Sequence, residues 1–195
     1  MGKVLTHMTM SLDGYIADPT DQVGELFEWY EAGGTPVRTA NNGISFAVDQ
    51  DSATALHELT DNSGALISGR RLFDITNGWD DNHPIGAPVV VVTHRPPVDA
   101  AQKWPTTTFV AGVPEAVEAA RRIAGDQNVI ISSADIIQQA LRLGLVDEVC
   151  VSLVPVLFGD GISYFGGLDQ HHLMLENPTV VQGNRALHLR YPVRR

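Results

Sequence analysis

The chain has 195 residues, 44% of them hydrophobic and 18% charged, which suits one globular domain with a substantial core and not a disordered or fibrous chain. Its formal charge of −10 argues against nucleic acid or an anionic membrane as the main partner, though local arginines can still hold an anionic ligand. Cys150 is the single cysteine, so no internal disulfide forms. The opening MGKVLTHMTM reads as a strand with too little apolar length for a leader peptide, and no window reaches the roughly 18 apolar residues of a membrane span. The expectation is a soluble, cytoplasmic chain.

In chain order, Val4 to Leu12 reads as a buried strand, ended by turn chemistry at Asp18-Pro19-Thr20-Asp21. Val23 to Phe46 follows no clear period. It holds a short helical pattern from Glu25 to Ala32 and reads otherwise as a loop-rich cover. Ser52 to Leu59 is helical, with Asp49 or Asp51 near its start. Gly64 to Ser68 is a short strand and Arg70 to Thr76 the helix after it. Pro88 to Thr93 is a β-branched run of the kind covered on both faces of a sheet. Thr106 to Ala111 is a weaker strand. Glu115 to Ala124 carries an apolar stripe of Ala116, Ala119, Ala120 and Ile123 on a helix.

Val129 to Ile131 is a buried strand, and Asp135 to Leu143 a helix stopped by Gly144. A long strand is expected from Val146 to Phe158, closed by Gly159-Asp160-Gly161, with two more around Leu173 to Val181 and Ala186 to Tyr191. Asn184, after Gly183, suits the turn between those two. Alternating strands and helices followed by a terminal antiparallel set imply a mixed α/β sheet with helices on its faces.

Three segments couple a strand end to a possible anion site. Gly69-Arg70-Arg71 opens a helix, where amides and arginines favour an anion, or else its arginines simply face water. Thr93-His94-Arg95 follows a strand at the carboxyl edge where ligands of α/β sheets sit; Arg95 is either a phosphate grip or a solvated loop arginine. Ser132-Ser133-Ala134 joins a strand to a helix, and Ser133 also reads as an ordinary helix cap. Asp13, in Ser11-Leu12-Asp13-Gly14, is either a carboxylate that orients a substrate or a turn aspartate bonded to its own backbone. Gly159 and Gly161 make a tight turn, and the Trp29-Tyr30 pair is either pocket wall or packing.

The seven histidines show no metal spacing, and His171-His172 cannot chelate as a helical i, i+4 pair does. Cys150, in mid-strand, reads as an inert core thiol. With no nucleophile elbow and no Walker motif, metal, thiol and serine-hydrolase chemistries have little to stand on.

The order of SLDGYIA, LISGRRLFD and the run from Ile130 to Phe165 resembles the dihydrofolate-reductase-like superfamily, nearest the reductase domain of riboflavin biosynthesis. The resemblance implies a three-layer α/β/α domain spanning residues 1–195, a nicotinamide-dependent reduction of a pterin- or pyrimidine-like small molecule, and a homodimer formed through the terminal strands. It places NADPH on Gly69, Arg70, Arg71, Thr93, His94, Arg95, Ser132, Ser133 and Ala134. It places substrate near Ser11, Asp13, Trp29, Gly159 and Gly161, with Asp13 as the catalytic carboxylate. Two positions depart from the family pattern. Leu72 stands where similar proteins carry a threonine that meets phosphate, and Ser132-Ser133 stands where they carry glycine. The alternative is a member with a lost cofactor site, acting without cofactor on a polycyclic molecule or simply binding one.

Overall fold

The computed structural model describes residues 2–168 and 172–194; His171 lies outside them. The chain runs β1 (Val4–Ser11), β2 (Tyr15–Ala17), a 3₁₀ segment (Gly24–Glu31), β3 (Thr35–Arg38), β4 (Ser45–Val48), α1 (Gln50–Thr60), β5 (Ser63–Gly69) and α2 (Arg70–Ile75). A second 3₁₀ segment (Asn77–Asp81) leads to β6 (Val89–Val92), α3 (Ala100–Lys103), β7 (Thr108–Val110), α4 (Val113–Ala124), β8 (Asn128–Ser132) and α5 (Ala134–Arg142). β9 (Glu148–Val154), β10 (Ile162–Ser163), β11 (Thr179–Gln182) and β12 (Leu187–Pro192) complete it.

Eight strands form one mixed sheet in the order β11-β12-β9-β1-β8-β5-β6-β7. The six from β9 to β7 run parallel, while β12 is antiparallel to β9 and to β11. Alternation along each strand divides the core into two layers. Val4, Ala65, Ile67, Val90, Val129 and Ile131 point to the side covered by α4 and α5. Their neighbours Leu5, Leu66, Val89, Val91 and Ile130 point to the other, against Leu59 of α1, Phe73 of α2 and Trp104. The layering is α/β/α, as the resemblance implied.

Four boundaries differ from the sequence reading, each for a local reason. The segment 23–46 is ordered structure: its 3₁₀ turn packs Leu26 and Trp29 into a third apolar cluster, and β3 and β4 pair as a hairpin. β9 stops at Val154, where the Val156 amide turns back onto the Val154 carbonyl next to Pro155. In place of the predicted strand from Leu173 to Val181, only Thr179–Gln182 pairs with β12, preceded by an isolated bridge from Leu175 to Val193. In the last hairpin Arg185, not Asn184, takes the left-handed conformation (φ 62°), while Asn184 bonds Asp49 and Ala32. Gly144 is left-handed as expected (φ 64°).

Candidate functional site

A cavity of about 660 Å³ opens on the α1/α2 side of the sheet. Its floor is His7, Met8 and Thr9 of β1 with Ile130 and Ser132 of β8. One wall comes from α1 and another from the 3₁₀ turn and the β3–β4 hairpin, including Tyr30, Arg38 and Phe46. Trp79 and His83 close the third side. Tyr30 stacks between Trp29 and Phe46, with ring centroids 4.1 Å apart on each side, and burial pushes its hydroxyl up to about 12, so the phenol stays protonated. Burial also pushes His83 down to about 3, and its Nδ1 accepts from the Ile85 amide. The Arg38 side chain is exposed at the cavity and makes no protein hydrogen bond among the described residues.

The three predicted anion segments end on β8, β5 and β6, neighbours in the sheet, so their carboxyl ends form one crevice. The crevice meets the cavity at Ser132 and Leu72, which line the cavity. Within the crevice the Arg70 guanidinium donates to Asp74 Oδ1 at 2.7 Å and to the Arg95 carbonyl. Arg71 pairs with Asp21. The Arg95 amide donates to Thr93 Oγ1 at 3.1 Å, while the Arg95 side chain and the neighbouring His94 are exposed. No side chain caps α5, which leaves its first amides without the acceptors a helix interior provides.

Ser133 adopts φ 132°, ψ 124°, a region that suits glycine and costs a side-chain-bearing residue on the order of 1–3 kcal/mol. It occupies the N-cap position of α5 but does not cap it. Its hydroxyl accepts from the Gly69 amide at 2.9 Å instead and ties β5 to β8 across the crevice. A Cβ on Gly69 would sit 3.4 Å from that same hydroxyl. Here the capping alternative for Ser133 gives way to a cross-strand one.

The Ser11-Leu12-Asp13-Gly14 turn lies apart from the cavity lining. Asp13 is exposed; it accepts from the Ser11 hydroxyl and from the amides of Phe158 and Gly159, at 3.2 and 2.7 Å. Those bonds, the Ser11 hydroxyl foremost, hold its carboxyl below the usual range. The Leu12 amide donates to the Val156 carbonyl at 2.8 Å, so Asp13 clasps the ends of β1 and β9 together. Gly159 belongs to that clasp, while Gly161 lies so close to Ala17 of β2 that a Cβ would come within 2.2 Å of its carbonyl oxygen. Trp29 is 1% exposed beneath the cavity wall, its indole N–H 3.4 Å from Thr9 Oγ1.

The cavity residues His7, Arg38, Phe46, Trp79 and His83 escaped the sequence reading. They carry no motif and come from four separate segments; only the alternation of β1, which puts His7 on the same face as Leu5, hinted at one of them. Among the described residues no group of three or more His, Cys, Asp or Glu side chains gathers to hold a metal, and no helix is long and apolar enough to cross a membrane.

The family model described as the RibD C-terminal domain matches residues 2–189. No curated protein matches the chain. Among solved structures, a protein from Shewanella sp. PV-4 assigned to riboflavin biosynthesis aligns over 99% of both chains, with a TM-score of 0.68 and 23% identity. RibD from Acinetobacter baumannii aligns over all of this chain and 58% of its own, at TM-score 0.59 and 17% identity, so the present chain spans little more than half of that protein. Dihydrofolate reductase from Enterococcus faecalis, in complex with NADP(H) and RAB-propyl, aligns over 100% of this chain and 98% of its own, at TM-score 0.61 and 13% identity. At these identities the structural likenesses establish a shared fold.

Proposed function

The chain belongs to the RibD C-terminal domain family, and on that premise we propose that it is an NADPH-dependent reductase of a small pterin- or pyrimidine-like heterocycle. The observation that carries the reading is the junction at Ser132 and Leu72, where a cavity large enough for a bicyclic ring meets a crevice built from three neighbouring strand ends. When bound, the nicotinamide supplies a hydride to a C=N or C=O of the substrate.

The residues present fit such a cofactor. The uncapped start of α5, the Thr93 and Ser133 hydroxyls and the exposed Arg95 guanidinium form a donor set suited to phosphate, with Ser132, whose hydroxyl donates to the His7 carbonyl at 3.3 Å, beside them. Arg70 and Arg71 supply further positive charge, already held in place by Asp74 and Asp21. Gly69 and Ala134 let backbone approach, and His94 lies beside Arg95. In this reading Leu72 replaces a phosphate-binding hydroxyl with an apolar patch at the cavity mouth. Asp13 acts as a positioning residue through the β1–β9 clasp, with Ser11, Phe158 and Gly159 as its partners, Gly161 backing onto Ala17 and Trp29 supporting Tyr30. Arg38 would meet an anionic group on the substrate. The reading extends to one domain over residues 1–195, a cytoplasmic setting and a homodimer through the terminal strands, where Val180 and Leu187 are exposed.

One observation favours the second reading, a cofactor-independent enzyme or binding protein for a polycyclic molecule: Ser133 already takes the Gly69 amide, and Arg70 and Arg71 already have carboxylate partners. The experiment that separates the two is NADPH oxidation with a panel of oxidised pterins and aminopyrimidines, comparing the native protein with Arg95→Ala. The reductase reading expects turnover that prefers NADPH over NADH, with the preference erased in Arg95→Ala. An unchanged preference would remove Arg95 from the 2′-phosphate, and no oxidation across the panel would leave the second reading standing.

A further inference from the structure

A line of hydrogen bonds runs from the start of α1 through the sheet to the cavity floor, and a carboxylate fixes its direction. Burial works against the charge of Asp49. The Ser52 hydroxyl and the amides of Ser52, Asn184 and Asp51 outweigh it and hold the carboxyl below the usual range. A carboxylate only accepts, so the single hydroxyl hydrogen of Ser52 goes to Asp49 Oδ2 at 2.6 Å. His188 Nε2, 3.0 Å from Ser52 Oγ, must then donate to it. A neutral imidazole has one N–H, so His188 Nδ1 accepts from Ser152 Oγ at 3.0 Å. The Ser152 hydrogen is now placed, and His7 Nε2 donates to its oxygen at 3.1 Å. Three adjacent strands, β12, β9 and β1, bring these parts side by side.

His7 is thereby left with a bare Nδ1. Both rings are neutral: burial, with His188 adding to it, pushes His7 down to about 4, and burial lowers His188 as well. The two nitrogens of an imidazole point to nearly opposite sides of the ring. With Nε2 aimed at Ser152 on β9, Nδ1 faces away from that strand, toward β8, where Ile130 and Ser132 continue the cavity floor. No protein donor reaches Nδ1 among the described residues, and it is not a buried atom, so it opens onto the cavity. Other sides of the cavity offer donors. His83 Nδ1 accepts from the Ile85 amide at 3.2 Å and so keeps its hydrogen on Nε2, and Arg38 can only donate.

We propose that His7 Nδ1 is the specificity-determining acceptor of the cavity, that it takes a hydrogen bond from a ring N–H of a neutral lactam heterocycle, and that Ser152, His188, Ser52 and Asp49 are positioning residues that hold its tautomer. This rests on the reading of the cavity as the substrate site. A lactam carries the matching pair, an N–H for His7 and a carbonyl for donors such as His83 and Arg38. An imidazole free to change tautomer would receive a carbonyl as readily as an N–H. The chain of hydrogen bonds removes that freedom: an Nδ1–H form of His7 would set its bare Nε2 against the Ser152 oxygen with no hydrogen between them. A heterocycle alkylated at the contact nitrogen loses the bond, and one that presents a carbonyl there sets lone pair against lone pair.

The test needs no cofactor. Lumazine, a bicyclic dione with ring N–H groups, is titrated into the native protein at neutral pH beside 1,3-dimethyllumazine, which has none. Lumazine should bind about 10-fold more tightly. Nitrogen-15 NMR should show His7 and His83 protonated on Nε2, with the His7 Nδ1 resonance moving upfield as lumazine binds. His7→Phe keeps a ring but cannot accept, and should bring the two affinities together. A preference that persists in that variant would reflect size alone and would overturn the proposal. So would a hydrogen on His7 Nδ1 in the native protein, equal binding of the two compounds, or no binding of lumazine. Should His7→Phe not fold, Ser152→Ala keeps the imidazole but releases it, and should give a mixture of His7 tautomers and a weaker preference. A His7 tautomer and a preference both indifferent to Ser152→Ala overturn the positioning role. Lumazine bound as described, with no NADPH oxidation across the panel of pterins and aminopyrimidines, would strike the reductase reading alone.

Discussion

The crevice at the strand ends and the cavity beside it share Ser132, yet they are built in opposite ways. The crevice is made of backbone, hydroxyls and arginines at the ends of β5, β6 and β8, so each of its parts is a contiguous segment. The cavity is made of isolated side chains from β1, the 3₁₀ turn, the hairpin, α1 and the stretch 79–85. Strand-end sites are local in sequence and carry recognisable residue patterns, whereas a cavity wall exists only after distant elements pack.

The two regions should therefore respond differently to substitution. Gly78→Ala should give the largest effect. Residues Asn77 to Asp81 all have positive φ, and a Cβ on Gly78 would lie 2.4 Å from the Trp104 indole nitrogen and 2.6 Å from the Phe73 ring. Overpacking and left-handed strain together predict a loss of about 3 kcal/mol. Denaturant titration should show that loss, along with a displaced Trp79 and unchanged cofactor affinity in the crevice. A loss below about 1 kcal/mol would mean that the segment relaxes freely.

Next comes the response to acid. Unfolded, a histidine takes up its proton below about pH 6.5. His7 in the folded chain does so only near pH 4. Between those values the unfolded state binds more protons, so stability falls as the pH drops through that window. At about 1.4 kcal/mol per unit the loss reaches roughly 3 kcal/mol. His83, held down to about 3, adds in the same direction. The double variant His7→Gln/His83→Gln should flatten the slope measured by chemical denaturation at successive pH values; an unchanged slope would assign acid sensitivity to other groups.

The smallest effect belongs to the crevice. Ser133→Ala keeps the unfavourable φ and loses the bond to the Gly69 amide, for a cost of about 1–2 kcal/mol. Ser133→Gly loses the same bond but relieves the backbone, so it should fall within about 0.5 kcal/mol of the native protein. Equal stabilities for the two variants would show that Ser133 carries no strain.

What was legible follows the same division. The buried runs at Val4, Val89 and Val129, the α4 stripe and the stop at Gly144 all express a period or a steric rule within a few residues, and the sheet follows from them. The requirement for glycine-like backbone at Ser133 was readable from the family pattern, and φ 132° bears it out. The hairpin of β3 and β4 was not readable, because its strands are four residues each, one containing Pro36, and owe their stability to Leu26, Trp29 and Leu56 beneath them. The partners of Asp13 were equally hidden. The Phe158 and Gly159 amides lie some 145 residues away, and only the paired ends of β1 and β9 bring them within reach.

The most direct test of the account is thermal unfolding of the native protein in the presence of NADPH, with NADH as the comparison. A ligand at about a hundred times its Kd adds roughly 2.7 kcal/mol. The account predicts a rise in Tm with NADPH that exceeds the rise with NADH. A Tm unmoved by either nucleotide at millimolar concentration would contradict it, and would show that Ser133 and Leu72 have closed the crevice to the cofactor.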